Sequence, residues 1–282
     1  MKPLIDGDVI RYEVASCGQF IDNGELIIRN FDGVEELLHL KIEEICEAVG
    51  ATEPPILFLT NDAKLQDRLN RRAVKEGRPT QEYIPNFRHE VATVKPYKGT
   101  RKGEKPYHFD NITTYMMANF DVRIANGYEA DDALGAYQCA HENTVICSRD
   151  KDLRMIPGMQ YSWECGKQPE WGPEEVEDFG YITLSDSNIL KGVGIKFFFS
   201  QMLTGDTVDN IPGLPKCGPV KAYKLLEDCE TEKQCVDIVR QAYKDKYAEK
   251  APERLQEQAQ LLWIAREIVD GQVVAYKPGG AE

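Results

Sequence analysis

No stretch of the 282-residue sequence approaches the ~20 consecutive apolar residues of a bilayer-spanning helix. Its first residues, MKPLIDGDVIRY, carry acids where an export signal would be apolar, so a cytoplasmic chain is expected. C-x-x-C spacing is also missing. The eight cysteines are scattered, several in apolar runs such as TVICS, which reads as buried thiols rather than disulfides or a zinc site. Histidine is scarce: His39, His89, His108 and His141 show no H-E-x-x-H or other paired spacing and read as ordinary surface or boundary residues. There is no internal repeat, and low complexity is confined to the tail KPGGAE, which is expected to fray. What remains, at 42% hydrophobic, is a globular chain able to bury one substantial core with a smaller second domain packed on it.

Charge is abundant and unevenly placed. The net charge of −13 argues at first against a polyanionic partner. Yet Lys64 to Lys105 holds 12 Lys and Arg against 5 Asp and Glu, a surplus of +7 within an acidic chain. This island is too polar and too long for an ordinary connection, which points to a functional or mobile loop.

Apolar periodicity predicts alternating strands and helices. KPLIDGDVI, PPILFLTND, FDVRIAN and NTVICSRDKD read as strands with polar exits. Asp32 starts a helix whose Leu38, Ile42, Ile45 and Val49 keep helical spacing, and EADDALGAYQCA is a second, with Ala133, Leu134, Tyr137 and Ala140 on one face. The alternation predicts an α/β fold with a parallel-rich central sheet flanked by helices. Beyond about residue 185 the pattern becomes mainly helical, interrupted by GDTVDNIPGLPKCGP; the expected domains are 1–184, with an insertion at about 64–105, and 185–282.

Ligands of parallel α/β sheets bind outside the carboxyl ends of the strands. Asp6, Asp8, Asp62, Asp150 and Asp152 fall at such exits, Glu129, Asp131 and Asp132 in the first turn of a helix after a strand, and Asp206 and Asp209 in the turn-rich segment. Taken singly, each also reads as a cap or turn residue. Taken together they would repel in one cleft and raise one another's pKa, a strain that divalent cations relieve. Oxygen ligands without paired His or Cys suit Mg²⁺ or Mn²⁺ rather than zinc.

Five motifs in order, Asp6 in LIDGD, YKGTR at 97–101, YEADDALG at 128–135, SRDKDLRMI at 148–156 and GDTVDNIPGLPKCGPVKA at 205–222, resemble the structure-specific 5′-nuclease family. That family includes flap endonucleases, the 5′-nuclease domain of DNA polymerase I and bacteriophage 5′-to-3′ exonucleases. The resemblance implies a PIN-like α/β core plus a helix-three-turn-helix region that grips duplex DNA. It implies two divalent ions, Mg²⁺ or Mn²⁺, held among Asp6, Asp62, Glu129, Asp131, Asp132, Asp150, Asp152, Asp206 and Asp209. Asn61 competes with Asp62 for its position, and Asp8 supports from behind. Catalysis would draw on Lys98 and Arg101 at the scissile phosphate alongside Asp131, with Tyr97 stacking on a base and Lys102 joining the DNA contacts.

Relatives thread single-stranded DNA beneath a helical arch near the YKGTR motif, and here the island from Lys64 through Arg88 is expected to guide the strand, because Lys64, Arg68, Arg71, Arg72 and Lys75 sit at spacings that build a basic helical face. The hairpin departs from the family pattern, because Lys216 replaces a glycine and Val220-Lys221 the usual lysine. Gly213, Lys216, Gly218 and Lys221 are still expected to hold a duplex phosphate, with K⁺ as in relatives. The implied activity is 5′-to-3′ exonuclease with flap endonuclease capacity on DNA, and on the RNA of RNA–DNA hybrids. Expected partners are DNA with 5′ ends, flaps or nicks and replication proteins, with the enzyme a monomer in the cytoplasm, the host's if phage-encoded. A PIN-like ribonuclease and a non-catalytic DNA-binding accessory protein are the alternatives.

Overall fold

The computed structural model describes residues 1–100 and 103–276. In chain order the first half contains β1 (Lys2–Asp6), α1 (Gly7–Cys17), β2 (Gln19–Asp22), β3 (Glu25–Ile28), α2 (Phe31–Ala48), β4 (Ile56–Thr60), α3 (Ala63–Lys75), α4 (Arg88–Val91), α5 (Phe109–Asn119), β5 (Asp121–Ala125), α6 (Ala130–Ala140) and β6 (Thr144–Cys147). After a 3₁₀ turn at Lys151–Met155 come β7 (Gly158–Ser162), β8 (Trp171–Val176), β9 (Tyr181–Leu184), β10 (Leu190–Val193) and α7 (Gly194–Thr204). Then follow β11 (Gly205–Asp206), β12 (Ile211–Pro212), α8 (Pro219–Leu226), α9 (Glu232–Tyr247), α10 (Ala251–Leu262), β13 (Ile268–Val269) and β14 (Gln272–Val273).

The central sheet runs β5-β4-β1-β6-β7-β8. Its first five strands pair in parallel and β8 closes the edge antiparallel to β7. The alternation of side chains decides which helices cover it. Ile5, Leu57, Leu59, Val145 and Cys147 face a cluster supplied by Ile10 and Val14 of α1, Leu38, Ile42 and Ile45 of α2, and Ile112 and Met116 of α5. Leu4, Ile56, Phe58 and Ile146 face the other way, onto Leu134 of α6 and Phe198 and Phe199 of α7. Both faces are covered, which explains why these strands read as unbroken apolar runs.

All four expected strands form, and α2 buries Leu38, Ile42 and Ile45 as its spacing predicts. One expectation changes. In α6 the buried face is Ala130, Leu134 and Gly135 with polar Asp132 and Gln138, while Ala133 and Tyr137 are half-buried and Ala140 exposed. Gln138 is tolerated inside because it donates to Met159 O (2.8 Å) and accepts from Thr144 Oγ1 (2.9 Å). The apolar cluster behind the second sheet face runs on through Trp263 and Ile264, so residues after 184 share a core with the sheet.

The basic segment lies against the body over its described length. Lys64 and Arg68 of α3 pair with Asp110 at the start of α5. Asn70 receives Gln81 N, Asn126 receives Ile84 N, and Phe87 N donates to Gly127 O at the exit of β5. Thr93 N and Val94 N then dock on Glu257 of α10. Through these bonds the segment is laid across the strand exits rather than raised as a free arch.

Candidate active site

The carboxyl ends of β1, β4, β5 and β6 open on one edge of the sheet, and the turns leaving them build the site. Asp6 ends β1 and caps α1, accepting from Val9 N at 3.1 Å and from Ser148 Oγ at 2.6 Å. The turn between them is tight: a Cβ on Gly7 would stand 2.6 Å from Phe58 O, which only glycine avoids. Asp8 accepts Thr60 N at 3.1 Å and pairs with Arg11 at 2.7 Å, which ties the start of α1 to the exit of β4.

These acids meet at two adjoining spaces. A cleft of about 1040 Å³ is lined by Asp6, Asp8, Asn61, Asp62, Lys98, Glu129, Asp131, Arg149 and Asp150 among others. A smaller recess beside it is lined by Lys98, Glu129, Asp131, Asp150, Asp152, Gln201, Asp206 and Asp209. Eight of the nine expected metal-binding acids thus border one continuous region, and Glu129, Asp131 and Asp150 border both spaces.

The ninth does not. Asp132 is fully buried and its carboxylate is saturated: Arg88 Nη1 and Nη2 donate at 2.7 and 2.9 Å, Ala265 N at 3.0 Å and Glu129 N at 3.1 Å. It is a structural anion, and the expectation that it binds metal is corrected. Arg88, only 3% exposed, also donates to Leu261 O and Trp263 O, which ties the segment after α10 to the first turn of α6. The sequence hid this partner inside the basic island.

Asn61 and Asp62 also separate. Asp62 caps α3 through Leu65 N at 2.8 Å and holds Lys105 at 3.0 Å, while Asn61 is buried and donates to Gln66 and Asn126. Asp62 keeps its place on the cleft wall with both oxygens engaged.

Electrostatic strain falls on Asp6, Asp131, Asp150 and Asp152. Burial, then Asp8, pushes Asp6 up to about 7. Burial together with Asp6, Asp150 and Glu129 drives Asp131 well above the carboxylate range, and burial raises Asp150. Burial and Asp150 likewise bring Asp152 up to about 7. Burial is again the largest single influence and raises Glu129 and Asp206, but Lys98, Arg88 and Tyr97 together at the first, and Lys151 with the Asp209 and Val208 amides at the second, outweigh it, so both are held low.

Lysines stand among the carboxylates. Lys98 bonds Glu129 and lies 3.9 Å from Asp209, while Lys151 bridges Asp152 (2.7 Å) and Asp206 (3.0 Å). As the side chains stand, no group of three or more His, Cys, Asp or Glu among the described residues is arranged to hold a metal ion. The donor set nonetheless fits one: hard oxygens, crowded and under-neutralised, are what Mg²⁺ or Mn²⁺ binds.

Tyr97 corrects another expectation. It is 5% exposed, with its hydroxyl 2.9 Å from Glu129 and 3.0 Å from Asp209, placed to donate its one proton to either acid, and it has no free face on which to stack a base. Its neighbour Lys98 adopts φ +53°, a left-handed conformation secured by Lys98 N donating to Asp209 O at 2.9 Å. Arg101 and Lys102 lie outside the described residues, as do 277–282.

Arg68 is turned inward to Asp110 O (2.9 Å) and Thr114 (3.0 Å), so it anchors α3 on α5 and leaves the basic face to others. Arg71 and Arg72 remain exposed, Arg71 paired to Asp67 in the same helix and Arg72 to Glu76 at its C-terminal cap. Such surface pairs are weak and exchangeable.

At the hairpin, a Cβ on Gly213 would stand 2.1 Å from Thr204 C, so its backbone crossing demands glycine. Gly218 caps α8, and Lys216 takes the left-handed φ of +63°. Lys221 lies exposed on α8.

No family profile matches the chain. Related sequences include DNA polymerase I of Rhizobium leguminosarum, 33% identical over 108 residues, covering 36% of this chain and 10% of the relative. DNA polymerase I of Geobacillus stearothermophilus is 27% identical over 193 residues, covering 64% and 20%. A 5′-3′ exonuclease of Mycoplasma pneumoniae is 29% identical over 124 residues, covering 40% and 38%. The chain therefore spans between a tenth and two fifths of the length of these relatives. Among solved structures, the bacteriophage T5 flap endonuclease in complex with DNA and metal ions superposes with a TM-score of 0.53 at 12% identity, over 93% of this chain and 88% of that one, which establishes a shared fold. The chain is thus similar over part of its length to these DNA polymerase I and 5′-3′ exonuclease sequences, and it shares its fold with the T5 flap endonuclease.

Proposed function

We propose that the protein is a divalent-metal-dependent 5′-to-3′ exonuclease with flap endonuclease activity, hydrolysing phosphodiester bonds in DNA and in the RNA of RNA–DNA hybrids. The observation that carries this reading is the convergence of Asp6, Glu129, Asp131, Asp150, Asp152, Asp206 and Asp209 on one cleft and its recess, with Lys98 among them. Mg²⁺ or Mn²⁺ held by these acids would supply Lewis-acid neutralisation of phosphoryl charge and a more acidic water.

The chain's own groups do the rest. Asp6 and Asp131 hold carboxylate oxygens at the cleft floor, braced by Ser148 at the first. Lys98, paired with Glu129 on the cleft wall, would direct its ammonium to a non-bridging oxygen of the scissile phosphate. Arg101, three residues on, is assigned the same phosphate. Tyr97 donates its one proton to Glu129 or Asp209 during the reaction. Amides between Gly213 and Gly218, with Lys216 and Lys221, receive a duplex phosphate, K⁺ being the monovalent ion proposed there.

The test is cleavage of end-labelled flap, nicked, blunt, hybrid and single-stranded RNA substrates with Mg²⁺ or EDTA, comparing Asp131→Asn. The reading expects cleavage that EDTA and the substitution both abolish. Metal-independent cleavage, or full activity of the variant, would sink it, and cleavage restricted to single-stranded RNA would favour a ribonuclease instead.

A further inference from the structure

The acidic region is divided by its own cations into two unlike halves. Asp6, Asp131 and Asp150 line one cleft together, where their carboxylates oppose one another. Around Asp152 and Asp206 a lysine does the neutralising: Lys151 Nζ lies 2.7 Å from Asp152 Oδ1 and 3.0 Å from Asp206 Oδ2. Asp206, 7% exposed, spends its other oxygen on Val208 N (2.7 Å) and Asp209 N (3.2 Å). The lysine side chain is 53% exposed, so it can leave the two acids for water without crossing the core.

Gln201 marks what the second half still lacks. It is 4% exposed and borders the recess with Asp152 and Asp206. Its Nε2 donates to Asp152 Oδ1 at 2.6 Å, which fixes the amide, because reversing it would set oxygen against carboxylate. Oε1 then points away from Asp152, buried and without a donor. A buried acceptor left unsatisfied is costly, and Lys151 does not reach it in this arrangement. Water carried by a divalent cation is a donor of the right kind.

We propose that Lys151 is the resident counter-ion of the Asp152–Asp206 half, and that a hydrated divalent cation exchanges with it there, its water donating to Gln201 Oε1. The inference rests on the metal-dependent reading above and goes beyond it by making the two halves unequal. The Asp6–Asp131–Asp150 half takes a cation without displacing a bonded lysine, whereas the other half must first release Lys151. Lys151 thereby sets the metal concentration at which the second half fills, and it returns to neutralise the acids when the ion leaves.

The experiment is titration of the full chain with Mn²⁺, followed by electron paramagnetic resonance of the free ion and by calorimetry, without DNA. The wild type is expected to bind in two classes, the tighter one lost in Asp131→Asn. Lys151→Met should tighten the weaker class by about tenfold, the scale of one charge removed from a partly exposed site. Lys151→Arg should keep the weaker class near the wild-type value. Gln201→Leu should loosen the weaker class by about threefold and leave the tighter one unchanged, the scale of one modest hydrogen bond.

An unchanged or weaker second class in Lys151→Met overturns the exchange, and an unchanged one in Gln201→Leu overturns the role of Gln201. A single class in the wild type overturns the inequality of the halves while leaving the metal reading intact. Absence of Mn²⁺ binding altogether overturns the metal reading itself. Circular dichroism melts of each variant separate these results from unfolding.

Discussion

Arg88 and Asp132 face each other as a buried two-pronged ion pair, 2.7 and 2.9 Å between donors and acceptors, at the point where the segment after α10 crosses the first turn of α6. Asp131 beside it looks into the acidic cleft. One helical step therefore separates a structural anion from a site anion.

Arg88→Met should destabilise the fold by about 3–5 kcal/mol, because it leaves Asp132 buried without its cation. Asp132→Asn should cost stability while retaining Mn²⁺ binding, and Asp131→Asn should do the reverse. Urea denaturation and Mn²⁺ titration of the pair check this directly. Loss of metal binding in a folded Asp132→Asn would return that residue to the metal site.

Tyr97→Phe removes a hydroxyl that donates to Glu129 or Asp209 and nothing that touches a base. Turnover should fall by about tenfold, roughly the loss of one hydrogen bond to a charged group, with KM for DNA little changed. Single-turnover kinetics on a flap substrate separates this from stacking, which would raise KM.

Stability of the metal-free protein should decline as pH rises from about 4 towards 7. Asp6 and Asp152 hold protons in the folded state up to about pH 7, whereas unfolded aspartates release them near pH ~4, so the folded state binds more protons in that window. With ν_U below ν_N, the slope of unfolding free energy with pH is negative. Mg²⁺ should therefore stabilise more at pH 8 than at pH 5. Urea midpoints at both values, with Mg²⁺ or EDTA, decide it; equal increments would contradict the assignment.

Lys216→Gly should stabilise the hairpin by about 1 kcal/mol, since lysine at φ +63° bears a left-handed strain that glycine escapes. If Lys216 also contacts a duplex phosphate, the same variant should bind duplex more weakly and with a salt slope reduced by about 1. Thermal melts and binding isotherms at several salt concentrations measure the two effects separately.

The strand exits were readable because a parallel strand buried on both faces leaves an apolar run that stops abruptly at the site, as in ILFLT followed by Asn61 and Asp62. Lys151 sat in a recognised motif with no role attached, since a lysine flanked by aspartates reads as ordinary surface charge. Gln201 left a fainter signal, a polar residue within the otherwise apolar KFFFSQMLT. Arg88 left none, because its partner is 44 residues away.

The sequence by itself determined the period of each element, the parallel sheet and the carboxylates that gather at one edge, because these follow from local pattern and from where strands end. Tertiary structure alone decided that Asp132 turns inward to Arg88, that Tyr97 is held under the site, and that Lys151 and Gln201 border the Asp152–Asp206 half. Those assignments depend on which charged groups distant in the chain are desolvated together, and burial rather than spacing sets the cost of leaving each one unpaired.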